Sequence, residues 1–171
     1  DSRMQRYAEE AVYTHVAKYL QPEFFKENRR KPNAPFTDQL TTKQVNSIME
    51  RAVVQSERYR VLKASGASQE EIHRSFHTPT QMSVFTYHGD IDTLMAPIDS
   101  IRYVKSFLRA GFMSMDPATG QVKAYVGGLN YTHFMYDMVT GGRRQVGSTI
   151  KPFLYSLAME NGFSPCDLAP N

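Results

Sequence analysis

Cysteine is almost missing from the chain. Cys166 is the only one in 171 residues, so no internal disulfide can form and cysteine usage says nothing of the compartment. No apolar run approaches the roughly 20 residues of a membrane-crossing helix, and no stretch reads as a secretory leader. Charge blocks are lacking too. The net charge of +3 comes from basic residues spread along the chain, so no nucleic acid or other polyanionic partner is implied. There is no internal repeat and no low-complexity tract. There is also no initiator methionine: the chain opens at Asp1, directly on a helical pattern, as expected of a piece of something longer. What is present, 41% hydrophobic and 22% charged residues, is the composition of a folded domain with a core.

From Ser2 to Leu20 the positions Met4, Tyr7, Ala8, Ala11, Val12, Val16, Tyr19 and Leu20 follow helical spacing, which predicts a core-facing stripe. Asp1 or Ser2 can cap this helix, and Pro22 is expected just past its end. The doubly Pro-broken stretch 29–35 reads as a loop. Helical periodicity resumes at Val45 and runs toward Leu62, before the Ser65-Gly66 break. Ser68-Gln69-Glu70-Glu71 is a capping box that starts a short helix through Ile72 and Phe76. Residues 82–87 and 91–95 read as short strands joined around Gly89-Asp90. A helix is expected from Pro97 to Leu108. Strands 112–115 and 122–126 form a hairpin, because Asp116-Pro117-Ala118-Thr119-Gly120 supplies turn chemistry between them. After Gly127-Gly128 a polar and aromatic loop leads to a last helix, from about Ser148 to Asn161. The fold class is α/β, of the α+β kind.

At the start of that last helix lies Ser148-Thr149-Ile150-Lys151. Residues three apart on a helix share a face, about 5–6 Å apart at Cβ, so Lys151 can reach the Ser148 hydroxyl. A serine needs a base to become a nucleophile. The partial positive charge of a helix N-terminus and burial both favour neutral Lys151, which can then take the proton. The Ser148 backbone N–H can donate to a developing oxyanion. Pro152 pins the helix start nearby. By itself a Ser-x-x-Lys also fits a capping serine followed by a solvated lysine.

The surroundings decide between these. The run Arg143 to Tyr155, RRQVGSTIKPFLY, resembles the active-site segment of class A penicillin-binding proteins. Asp116 to Gly128, DPATGQVKAYVGG, resembles the strand-turn-strand leading into it. Asp1 to Gln5 with Tyr7 to Val12 is similar to the start of the region linking glycosyltransferase and transpeptidase. The resemblance implies a serine β-lactamase-like fold, with residues 1–95 a mostly helical linker carrying a small hairpin and 96–171 the incomplete front of a transpeptidase domain. It implies a peptidoglycan DD-transpeptidase that cross-links stem peptides through a Ser148 acyl-enzyme and is acylated by β-lactam antibiotics, with Lys151 as base and no metal or organic cofactor. The intact protein would be anchored by one N-terminal transmembrane helix, would work on the outer face of the bacterial cytoplasmic membrane, and would carry a glycosyltransferase upstream. The family set also includes Ser-x-Asn and Lys-Thr-Gly. Neither occurs among the 171 residues, so this piece by itself is expected to be inactive. A β-lactamase or β-lactam sensor is the alternative within the Ser-x-x-Lys class, and an interaction module of the wall-assembly machinery is the non-enzymatic one.

Other features have plainer readings. His73 and His77 stand four apart, as zinc pairs do, but without a third ligand at suitable spacing. Arg143 and Arg144 could hold a carboxylate, and are expected instead to pair with nearby acids. Tyr131, Phe134 and Tyr136 either line a peptide cleft or pack. Cys166 is expected to be buried or half-buried. Apolar residues Ile150, Phe153, Leu154, Tyr155, Leu157, Ala158 and Met159 surround the last helix, which predicts cover by a second copy, as a homodimer or an exchanged element.

Overall fold

Asp1 starts the first helix by accepting from the backbone N–H groups of Arg3 and Met4 at 2.9 and 3.2 Å, the N-cap role expected of it. In the computed structural model, which describes residues 1–168, α1 (Ser2–His15) passes through a π turn (Val16–Leu20) into α2 (Gln21–Asn28). The stop expected at Pro22 does not occur. The wider π register, closed by the Gln21 N–H on the Val16 carbonyl, lets the helix continue past a residue that has no N–H to donate. The α+β class holds: among the described residues the remaining elements are five α-helices, one 3₁₀ turn and two antiparallel two-stranded ribbons. Residues 1–140 make one compact unit and the residues from 141 onward a second.

In the first unit, β3 (Phe112–Met115) and β4 (Val122–Val126) form the expected hairpin, with a register irregularity between Ser114 and Met115. The turn closes through Gly120 N–H to Asp116 O at 2.8 Å and Ala118 N–H to Asp116 Oδ1 at 2.9 Å, with Gly120 at φ +70. α1 lies on β4, where Ala8 packs against Ala124 and Val126 and Val12 packs beside them. Gln5 pairs with β4 as a strand would: its Nε2 donates to Tyr125 O at 2.8 Å and its Oε1 accepts from Tyr125 N at 2.7 Å. The Asp1 amino group donates to Lys123 O at 2.9 Å. Only Ala8 and Val16 of the predicted apolar stripe are buried, while Met4, Tyr7, Tyr19 and Leu20 are exposed. A two-stranded ribbon is too narrow to cover the whole face of a helix.

β1 (Thr80–Val84) and β2 (Ile91–Met95) pair antiparallel, Thr80 opposite Met95 and Val84 opposite Ile91. The first strand starts two residues earlier than expected and stops at Val84, because Thr86 and Gly89 bond each other's backbone across a tight turn with Gly89 at φ +110. α6 (Pro97–Lys105) ends three residues early. There the chain turns to bury Phe107, which meets Phe85 and Tyr103 edge-on at centroid distances of 5.1 and 5.0 Å. Phe134 joins at 5.0 Å from Phe85, and the Arg109 guanidinium covers the Phe134 ring at 3.6 Å. Burial pushes the Tyr87 phenol, at the edge of this cluster, up to about 12.

Two further helices of this unit lie against α6. α3 (Thr42–Val54) and α5 (Gln69–His77) each begin with a capping box, Thr41 with Gln44 and Ser68 with Glu71, and bury Val45, Met49, Ile72 and Phe76. The long helix expected from Val45 toward Leu62 is two helices, since Ser56 accepts from Tyr59 N–H and starts α4 (Glu57–Ala64). Gln21 ties α2 to the chain after α6. It is 1% exposed, donates to Ser106 O at 2.9 Å and accepts from Leu108 N–H at 2.8 Å. Replacing Gln21 with Leu leaves both backbone groups without a partner. The expected loss is about 2–4 kcal/mol of stability, since each orphaned buried group costs roughly 1–3. Urea unfolding followed by circular dichroism checks this, and an unchanged midpoint would count against the bridge.

Candidate active site

Ser148 stands on a tight turn rather than on an α-helix. Gly147 takes φ +55, a left-handed conformation that favours glycine, and opens a 3₁₀ turn (Gly147–Ile150). The Thr149 side chain and backbone both donate to Val146 O. α7 follows (Lys151–Glu160). The regular helix therefore begins three residues after the expected start, and Pro152 explains it. In an α-helix the residue-152 N–H would bond the Ser148 carbonyl, but proline has none, and the Lys151 N–H takes that carbonyl instead. Side chains three apart eclipse in 3₁₀ geometry, so the turn sets Lys151 on the same side as Ser148.

Ser148 and Lys151 are both exposed, so the burial expected to favour a neutral Lys151 is not found here. Among the described residues, no hydrogen bond or ion pair joins the two side chains to each other or to a third group. α7 ends at Asn161 with Gly162 at φ +88, and Phe163 N–H returns to Ala158 O at 3.1 Å. Arg143 and Arg144 form no ion pair among the described residues; Arg144 donates to the Arg143 carbonyl at 3.0 Å. From Met138 to Met159 the chain carries no acid, so a partner would have to be supplied by the fold, and none is among the described residues. Cys166 is exposed, not buried.

In the first unit, the loop after β4 has an organiser that sequence reasoning missed. Asp137 accepts from the Tyr125 hydroxyl and from the N–H groups of Val139 and Thr140 at 2.8 and 3.1 Å. The Met138 N–H bonds Gly127 O at 2.8 Å. A Cβ on Gly127 would stand 3.1 Å from the Asp137 carboxyl carbon, so this glycine permits the approach. An Asp whose carboxylate reaches the N–H groups two and three residues on is an Asx-type turn, and Asp137-Met138-Val139-Thr140 was the available signal. The aromatic residues divide: Phe134 is core, while Tyr131 and Tyr136 are exposed and line a concavity of 680 Å³ with Glu9, Glu10 and Asp137.

Two family models match in sequence order. Residues 31–108 match the penicillin-binding protein middle domain, and residues 110–168 match the penicillin binding protein transpeptidase domain. The chain belongs to the penicillin-binding proteins. Among curated relatives it is 46% identical over 63 residues to penicillin-binding protein 2D of Bacillus subtilis, a match covering 37% of this chain and 9% of that protein. It is 47% identical over 53 residues to penicillin-binding protein 1A of Vibrio cholerae (31% and 6%) and 40% identical over 57 residues to penicillin-binding protein 1A of Escherichia coli (33% and 7%). The matched stretches thus span less than a tenth of these relatives. No solved structure matches the chain. The transpeptidase match covers the hairpin, the Asp137 loop, and the Ser148 turn with α7.

The Tyr125 hydroxyl and then the loop N–H groups hold the Asp137 carboxyl below its usual range. A depressed carboxylate stabilises the folded state above the unfolded value of about 3.9, and that stabilisation is lost as pH falls through the folded-state value. Asp137→Asn should lower stability at pH 7 and shrink the difference between pH 7 and pH 3. Thermal melts of both proteins at the two pH values test this; equal pH dependence would remove Asp137 from the account.

Proposed function

We propose that the chain is part of a peptidoglycan DD-transpeptidase of the class A kind, with Ser148 as nucleophile and Lys151 as its base. The single observation that carries this reading is the placement of Ser148 and Lys151 across one 3₁₀ turn at the head of α7, inside the stretch matched by the transpeptidase model. In the reaction, Ser148 Oγ attacks the carbonyl between two D-alanines of a stem peptide while neutral Lys151 takes its proton. The bond to the terminal D-alanine breaks and that residue leaves with a proton. An amine of a neighbouring stem peptide then attacks the ester, forming the cross-link and freeing Ser148. A β-lactam follows the first half of this path: its ring amide opens on Ser148 and the acyl group stays.

The whole-protein part of the reading includes a glycosyltransferase upstream and an N-terminal anchor that places the enzyme outside the cytoplasmic membrane. Among the described residues no helix is long and apolar enough to cross a membrane. Residues 1–95 would be the linker and 96–171 the front of the transpeptidase domain, an order supported by the two family matches. In the full-length protein, Ser148→Ala should abolish covalent labelling by a fluorescent penicillin with little change in melting temperature. Lys151→Ala should slow acylation by about 10²–10⁴-fold. The 171-residue chain, without Ser-x-Asn or Lys-Thr-Gly, should label at most at a trace rate, because loss of one oxyanion donor alone costs about 10²–10³. Undiminished labelling of the Ser148→Ala protein would sink the assignment.

The reading extends to self-association. Ile150, Phe153, Leu154, Tyr155 and Leu157 are each at least half exposed, and burying each would gain about 1.5–3 kcal/mol. A second copy covering α7 is the expected outcome for the isolated chain. Light scattering at micromolar concentration should give the dimer mass; a monomer mass would overturn it.

A further inference from the structure

The exposed end of α5 holds a feature that the acyl-transfer reading does not use. Glu70, His73, Arg74 and His77 line a shallow concavity there with Gln69 and Thr78. The His73 and His77 rings stack, with centroids 4.0 Å apart and planes 21° from parallel. His77 Nδ1 lies 2.8 Å from the His73 carbonyl oxygen. A carbonyl oxygen only accepts, so in the neutral ring Nδ1 carries the proton and Nε2 is left with a free lone pair. A ring N–H held by a backbone carbonyl is the arrangement that orients metal-ligating histidines.

The second histidine is placed to complete a chelate. Spacing of four residues puts both rings on one helix face, and near-parallel stacking brings their edges into register. A tetrahedral ion with bonds of about 2.0–2.1 Å to nitrogen needs its two nitrogens roughly 3.4 Å apart, close to the 4.0 Å that separates the ring centroids. The neighbouring acid Glu71 is committed to Ser68, through both its backbone N–H and its hydroxyl. Among the described residues no group of three His, Cys, Asp or Glu comes together, so water would complete the shell. We propose that His73 and His77 form a two-histidine site for a divalent transition metal of the imidazole-preferring class, Zn²⁺, Ni²⁺ or Cu²⁺.

The test is titration of the 171-residue chain with Zn²⁺ alone and then with Ni²⁺ alone, read by calorimetry and by the imidazole resonances in nitrogen-15 spectra. One ion per chain should bind, with the His73 and His77 ring nitrogens shifting under Zn²⁺ and broadening under Ni²⁺. His73→Asn and His77→Asn should each weaken binding by about tenfold or more. Both side chains are exposed, so the variants should keep the wild-type circular dichroism, and a His88→Asn control should bind as wild type does. Absence of binding, equal affinity when His73→Asn and His77→Asn are combined, or changes confined to His15, His88 and His133 would overturn the proposal.

Discussion

A two-stranded ribbon pairs only half of its backbone groups with itself, and the first unit is built around supplying the rest. The N-terminal helix does this with side chains. Gln5 exchanges two hydrogen bonds with Tyr125 as a third strand would, and the amino group of Asp1 takes the Lys123 carbonyl. Sixteen residues after Gln5, Gln21 serves the chain beyond α6 in the same way, from a position almost closed to solvent. Buried amides of this kind cost free energy unless every group is paired, so they set the placement of the helix more strictly than apolar contact does. Ala8, Ala124 and Val126 alone make a small core that would tolerate some sliding.

The aromatic cluster complements this polar scaffold. Phe85 follows β1, Phe107 follows α6 and Phe134 comes from the loop after β4, so three segments distant in sequence meet, Phe85 edge-to-face with both partners and Phe107 tilted against Phe134. Such contacts favour particular ring angles, and Arg109 closes the cluster with its guanidinium over the Phe134 ring. The Asp137 turn begins three residues after Phe134 and returns to Gly127 and Tyr125. One end of the loop after β4 is therefore held by ring packing and the other by a carboxylate gathering N–H groups.

The Ser148 turn rests on a different device. Its shape follows from two residues with opposite restrictions: Gly147 supplies a left-handed backbone and Pro152 withholds a donor. Together they replace the first turn of an α-helix by a tighter one, which brings residues three apart into line. Serine and lysine occupy the two aligned positions. The proposed acyl transfer would use that alignment, and the backbone rule that produces it is independent of burial, since both side chains are exposed.

The sequence by itself determined the parts governed by local rules. The capping box at Ser68, the Asp116–Gly120 turn, both hairpins, the α+β class and the Ser-x-x-Lys element with its family resemblance were all legible there, because each depends on residues within a few positions of one another. Tertiary structure decided what depends on distant partners. Periodicity cannot say whether an apolar stripe has a surface to meet, and α1 meets a narrow ribbon and, through Tyr13, Tyr87. Nor can it show that a π register carries a helix past Pro22, that Gln5 and Gln21 are polar bridges, or that Phe134 turns inward while Tyr131 and Tyr136 do not. Asp137 gathers its partners from both sides of a loop. The surroundings of Arg143, Arg144 and Cys166 escape the sequence for the same reason: pairing and burial belong to the neighbours a fold supplies, and sequence spacing does not name them.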